Sequence, residues 1–206
     1  MNTDANDGLT DQELRLLGDL RGKRVLDLGS GGGGAAIAFA QQGAIVIALD
    51  STDARLARAR ARAEAAEVKV EWRTGDLADL AFLRAESIDA AFSSSSVAEV
   101  DDASRLFRQV QRVLKPNAAF VFSYAHPMSL CIDASGVVSR SYFDPGPIDL
   151  ERDGESVRIH VRDVGEVFTE LGRAGFRVDI ILEPKPSTPG ARVPDTIVWR
   201  ARKEGA

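Results

Sequence analysis

The chain has 206 residues, 44% of them hydrophobic and 28% charged, with a net charge of −5. That length supports a full sheet with helices on both faces, expected as one domain over 1–206, and the acidic balance implies no general affinity for a nucleic-acid backbone. The one cysteine, Cys131, excludes an internal disulfide and a cysteine-based zinc site. No apolar run is long enough to span a membrane and nothing resembles a signal peptide, so the cytoplasm is the expected compartment.

Residues 1–9 are polar and expected to fray. Thr10 and Glu13 form a T-x-x-E capping box ahead of Leu14, Leu16, Leu17 and Leu20, which predicts a helix closing near Arg21-Gly22, so that 1–22 is a short N-terminal unit. The stretch K-R-V-L-D-L-G-S-G-G-G-G-A-A (23–36) follows. Val25 to Leu28 reads as a buried parallel strand, the glycines as a turn, and Ala35 to Ala40 as a helix. Strand, glycine turn and helix start make the first unit of a nucleotide-binding α/β domain, with free helix N–H groups facing the ligand.

Two patterns fit this turn. Gly29, Gly31 and Gly34 satisfy G-x-G-x-x-G; Gly29, Gly31 and Gly33 satisfy G-x-G-x-G. Asp27, two residues before the first glycine, is costly beside a pyrophosphate but suits a cationic ligand.

Gly43 ends the helix, and Ala44 to Leu49 reads as a second strand closed by Asp50, an acid placed to accept from ribose hydroxyls. Thr52 or Asp53 caps a helix to about Ala66, in which Arg55, Arg58, Arg60 and Arg62 scatter round the axis as a solvated face rather than an RNA-binding patch. Val68 to Trp72 is the third strand, followed by Thr74-Gly75-Asp76-Leu77 and a short helix at 79–83 that Asp76 would otherwise merely cap. Ser87 to Phe92 is the fourth, ending in Ser93 to Ser96. Asp101 is expected to cap an amphipathic helix carrying Leu106, Phe107, Val110, Val113 and Leu114. R-V-L-K-P-N leads into the fifth strand, 118–123, with Asn117 in an αL-tolerant position. After His126-Pro127 the pattern breaks, with Asp-Pro-Gly-Pro at 144–147 and a turn at Asp153-Gly154. The alternating stretches 137–143 and 157–161 predict a β-hairpin, and 126–161 as a whole a cover inserted over the cofactor edge. Asp163 caps a helix to Arg173; Val178 to Glu183 is the sixth strand; a loop with Pro184, Pro186 and Pro189 leads to the last, Thr196 to Arg202. Two strands joined without a helix predict an antiparallel pair.

The string D-L-G-S-G-G-G resembles motif I of the class I S-adenosylmethionine (SAM) methyltransferases, G-D-L after strand three resembles their adenine-facing segment, and the antiparallel last strand resembles their sheet. The likeness spans 23–202 and is similar to the small-molecule "type 11", ubiquinone-biosynthesis-like group. It implies a doubly wound, mostly parallel seven-stranded Rossmann-like sheet, and a SAM-dependent enzyme releasing S-adenosylhomocysteine. Gly29, Ser30 and Gly31 would pass under the methionine part of SAM and Asp27 sit near its ammonium group. Asp50, with Ser51 beside it, would hold the ribose, Asp76 and Leu77 the adenine, and the Ser93 carbonyl the amino group. The acceptor would be a small molecule entering past Ser95, Ser96, Tyr124 and His126, methylated on O or N rather than C, with neither nucleic acid nor membrane as partner. His126 is the candidate base, against a purely structural place before proline; with His160 far off in sequence, no metal site is expected. The short N-terminal unit, and S-S-S-S-V-A-E-V in place of an A-L-H-H-V-like string, depart from the group on the acceptor side. An NAD-dependent oxidoreductase and a non-catalytic SAM-binding protein are the competing readings.

Overall fold

A computed structural model describes residues 10–133, 135–144, 146–152, 155–186 and 190–205. The expected frayed segment 1–9, the turn at Asp153-Gly154, Pro189 in the proline loop and the chain's last residue lie outside them.

Among the described residues, nine strands and five helices follow one another as α1 (Asp11–Leu17), β1 (Arg24–Leu28), α2 (Gly34–Gln41), β2 (Ile45–Asp50), α3 (Asp53–Ala65), β3 (Val70–Thr74), β4 (Ile88–Ser94), α4 (Ala103–Val113), β5 (Leu114–Ala125), β6 (Pro147–Arg152), β7 (Glu155–His160), α5 (Val164–Arg173), β8 (Phe176–Leu182) and β9 (Thr196–Lys203). Seven strands form one sheet in the order β3-β2-β1-β4-β5-β9-β8. Neighbours are parallel from β3 to β5, and β9 is antiparallel to both β5 and β8. The expected architecture is therefore present, with the reversed strand slotted inside the sheet rather than added at its rim.

The central strands β1, β2, β4 and β5 are buried at consecutive positions because both faces are covered. Along β2, Val46 and Ala48 join the core under α1 and α2, with Leu17, Phe39 and Phe92. Ile47 and Leu49 join the opposite core, with Leu106, Phe107, Phe120 and Trp199. On that second face Phe122 stacks on Trp199 with centroids 6.0 Å apart, and Phe107 of α4 meets Phe122 at 5.8 Å. The ligand-edge residues named above follow from this winding, since the C-terminal ends of the parallel strands β1 to β5 lie along one edge.

Several boundaries differ from expectation, each for a local reason. The Thr10–Glu13 capping box forms, but α1 stops at Leu17 because Gly18 turns to a φ of 75°. β3 begins at Val70, since the Val68 amide is still bonded to Ala63 O at the end of α3 and Glu67 takes a φ of 54°. No helix forms at 79–83. Asp76 and Asp79 instead accept the amides of Ala78 (2.8 Å) and Ala81 (3.1 Å), making two successive side-chain turns. Asp102, not Asp101, caps α4, accepting from the Arg105 amide at 2.8 Å. β5 runs from Leu114, through Asn117 at a φ of 63°, and β8 from Phe176. The hairpin after β5 exists, but its first arm is β6 rather than 137–143. That earlier stretch is curled up by its own side chains. Asp133 takes the amides of Ser135 and Val137, and Arg140 donates to the carbonyls of Asp144 and Gly146.

Candidate functional site

β1 delivers the chain into the glycine turn, and three other elements hold that turn in place. From β2, Leu49 O accepts the amides of Gly29 (2.7 Å) and Ser30 (3.2 Å), and Asp50 Oδ2 accepts the Gly31 amide at 2.9 Å. Asp50 Oδ1 takes the amide and hydroxyl of Thr52 at 3.0 and 3.1 Å. From α3, the Arg62 guanidinium donates to Gly32 O at 2.9 Å. From the 3-10 turn Ser96–Glu99 after β4, the Ser96 hydroxyl donates to Gly29 O at 3.3 Å. Gly29 has a φ of 72°, and a Cβ there would lie 1.9 Å from Ser96 Oγ. A Cβ on Gly33, the residue capping α2, would lie 2.8 Å from Ala59 and 2.9 Å from Trp72. On Gly31 a Cβ would meet nothing within 4 Å. The turn is thus packed hard from beneath and open above.

Asp27 and Asp50 are both 1% exposed, at the ends of adjacent strands and in register with Ala48 and Thr74 respectively. The hydroxyls of Ser30 and Ser93 are buried without a hydrogen-bond partner. Two buried acids and two unspent hydroxyls beside an open glycine turn match a cationic ligand rich in polar groups. The donor set fits SAM: no phosphate charge has to be met, and Asp50 retains acceptor capacity beyond its three bound donors.

A cavity of about 510 Å³ opens next to the turn. Ser51 and Arg55 line it from the β2–α3 corner, Asp76, Leu77 and Ala78 from the end of β3, and Glu99 to Asp102 with Arg105 from the start of α4. Its outer side is made by Ser156, Val157 and Arg158 of β7. Charges along the rim are paired: Arg55 with Glu99 at 3.6 Å, and Arg105 with Asp76 at 3.7 Å and Asp79 at 3.9 Å. Of the expected cofactor residues, Ser51, Asp76 and Leu77 meet in this cavity, while Asp27, Gly29, Ser30, Gly31 and Asp50 meet at the turn. Ser93 sits at the end of β4, fully buried.

His126 lies at the same edge, 5% exposed, just past β5. Its Nδ1 accepts the Met128 amide at 3.0 Å, and its Nε2 lies 3.0 Å from Glu183 Oε1. Nδ1 is therefore unprotonated and Nε2 carries the proton to the carboxylate, so both nitrogens are committed. The geometry is that of a ring tying the end of β5 to Glu183, just past β8. Tyr124 is buried against Phe122 at 6.1 Å. Burial pushes its phenol well above the ordinary value, against the opposing effect of the Trp199 N–H, so it stays protonated. Ser95 adopts a φ of 68° and bonds Ser123 O through its amide; Ser96 faces the glycine turn instead of an acceptor wall. Among the described residues no cluster of three His, Cys, Asp or Glu is placed to hold a metal, and no helix is long and apolar enough to cross a membrane.

Sequence reasoning missed that Arg62 and Ser96 clamp the glycine turn, having set Ser96 on the acceptor side. Arg62 belonged to what read as a solvated arginine face, yet it sits three residues after Ala59, a buried position. An arginine at helical spacing from small buried residues was the available signal. Ser96 carried none, being one of four identical residues.

The family model described as "Methyltransferase domain" matches residues 26–122. A "Ubiquinone biosynthesis O-methyltransferase" of Hahella chejuensis is 36% identical over 104 residues, half of this chain and 44% of that protein. The chain thus spans less than half the length of the curated relatives it matches. A solved S-adenosylmethionine dependent methyltransferase from Mesorhizobium loti is 31% identical, with a TM-score of 0.77 and 93% of this chain and 95% of that one covered. The [4+2]-cyclase SpnF shares the fold at 18% identity, with a TM-score of 0.72 over 98% of this chain and 85% of its own.

Proposed function

The chain belongs to the class I S-adenosylmethionine-dependent methyltransferases, and on that premise we propose that it methylates a small molecule on oxygen or nitrogen. The observation that carries this is the buttressed glycine turn, open above Gly31 and continuous in the fold with strand-end acids and a 510 Å³ cavity.

In this reading Gly29, Ser30 and Gly31 support the methionine part of the cofactor, with Asp27 toward its ammonium group. Asp50 and Ser51 take the ribose, Asp76 and Leu77 the adenine, and Ser93 the amino group through its carbonyl. SAM supplies a methyl on a sulfonium, an already good leaving group. The chain's work is then orientation and exclusion of water, which can provide most of the acceleration. The clamps from Asp50, Arg62 and Ser96 serve that end by fixing the turn before ligand arrives. His126 serves it by fixing the end of β5, with 126–161 as the cover. The name of the Hahella relative favours a hydroxyl acceptor.

The test is incubation with SAM and a panel of hydroxyl- and amine-bearing metabolites, followed as release of S-adenosylhomocysteine. Acceptor-dependent release is expected. Tight cofactor binding without release from any acceptor class would instead support the non-catalytic reading.

A further inference from the structure

We propose that the β6–β7 hairpin is the outer wall of the cofactor cavity at its adenosine end, and that Arg162 is the positioning residue that holds this wall in place. This rests on the cofactor reading above and narrows the part played by the hairpin to one end of the cofactor.

The cavity has two sides. Ser51, Asp76 and Leu77 make the inner one; Ser156, Val157 and Arg158 of β7 make the outer. β7 alternates, so Val157 and Ile159 are buried, as is Val161 just beyond, and this stripe seats the strand on the 3-10 turn after β4. Its far end is fastened by Arg162. The guanidinium donates to the carbonyls of Val100 (2.7 Å) and Asp101 (2.5 Å), the backbone that itself lines the cavity, and reaches His160 O at 3.3 Å. His160 Nδ1 adds a contact to Asp101 Oδ1 at 3.1 Å. Arg158 is held by both oxygens of Asp149 on β6, at 2.9 and 3.2 Å, which fixes its direction along the wall. One planar fork therefore joins the hairpin to the cavity loop, a geometry that lysine reproduces only in part. A ligand lying between Asp76 and Ser156 would be held on its outer side by this wall.

The experiment follows dissociation of S-adenosylhomocysteine from the full chain by stopped flow, with hydrogen exchange of residues 147–160 in parallel. Arg162→Ala is expected to release the ligand at least ~10-fold faster and to lose the ligand-dependent protection of β7, with Arg162→Lys between it and the parent. Adenosine alone is expected to show the same dependence on Arg162. Should Arg162→Ala fail to fold, Ser156→Trp, at an exposed position, is expected to fill the cavity and weaken S-adenosylhomocysteine binding at least ~10-fold. Equal release rates for the parent and Arg162→Ala, or unchanged affinity in Ser156→Trp, would overturn the wall. A parent chain that binds no S-adenosylhomocysteine would overturn the cofactor reading itself.

Discussion

At the scale of single residues, the glycine turn works because its backbone is held by side chains that arrive from elsewhere. Gly29 is the tightest point, with both a φ of 72° and Ser96 Oγ beneath it. Gly29→Ala is expected to destabilise the fold by well over ~1 kcal/mol, since the αL conformation alone costs an alanine about 1–2 kcal/mol. Ser96→Gly in the same chain should recover the steric part and leave the conformational part, which paired thermal melts would resolve; full recovery would show that the φ does not matter. His126→Asn is expected to cost about 1–2 kcal/mol through the lost Met128 and Glu183 contacts. Turnover per folded molecule and its pH profile should stay nearly intact. A ~100-fold loss of turnover in a folded variant would instead make the ring a base. The glycines, Asp27 and Asp50 were legible because a backbone needing positive φ and a buried strand-end acid leave residue types behind. Ser96 and Arg62 were not, because their partners are carbonyls 67 and 30 residues away, and a carbonyl leaves no mark in a sequence.

Among the elements, β9 is the one that joins β8 to the parallel strands, and its charges make that junction sensitive to acid. Asp179 on β8 receives Arg200 at 2.9 and 3.1 Å and Arg202 at 2.8 Å, while Arg200 also reaches Leu16 O at the end of α1. Burial works against its ionisation, but the two arginines prevail and hold its carboxyl below the usual value; Asp89 is held down likewise, by Lys115 and the Arg24 amide against partial burial. A carboxyl with a depressed folded-state pKa stabilises fully above its unfolded value of about 3.9, and that stabilisation is lost as pH falls through the folded value. Denaturant melts should therefore show stability falling with acid below about pH 4. Asp179→Asn is expected to lower stability at pH 7 by about 1 kcal/mol and to flatten that fall. An unchanged profile would remove Asp179 from the account. The strand-helix alternation was legible from apolar periodicity, and so was the reversed β9. The hairpin was legible only in its second arm. Asp133 and Arg140 bond backbone groups near themselves, and such local competition converts an alternating stretch into turns without altering its pattern.

Over the whole molecule, one winding brings the C-terminal ends of five parallel strands to a single edge, and β7 of the inserted hairpin lines the cavity there. The edge was legible from topology rules alone, whereas the cavity was not, since its outer wall comes from β7, about eighty residues after Asp76. A fold of this kind also carries a [4+2]-cyclase, so the sheet by itself does not fix the reaction. This chain sets an open glycine turn beside Asp27 and Asp50, and its ligand is the point to measure. Calorimetric titration with S-adenosylhomocysteine, with NADH in parallel, addresses it directly. One site for S-adenosylhomocysteine is expected, weakened at least ~10-fold in a folded Asp50→Ala variant that loses a charge-assisted partner, with no comparable uptake of NADH. Tight NADH binding without S-adenosylhomocysteine binding, or an Asp50→Ala variant of unchanged affinity, would contradict the account.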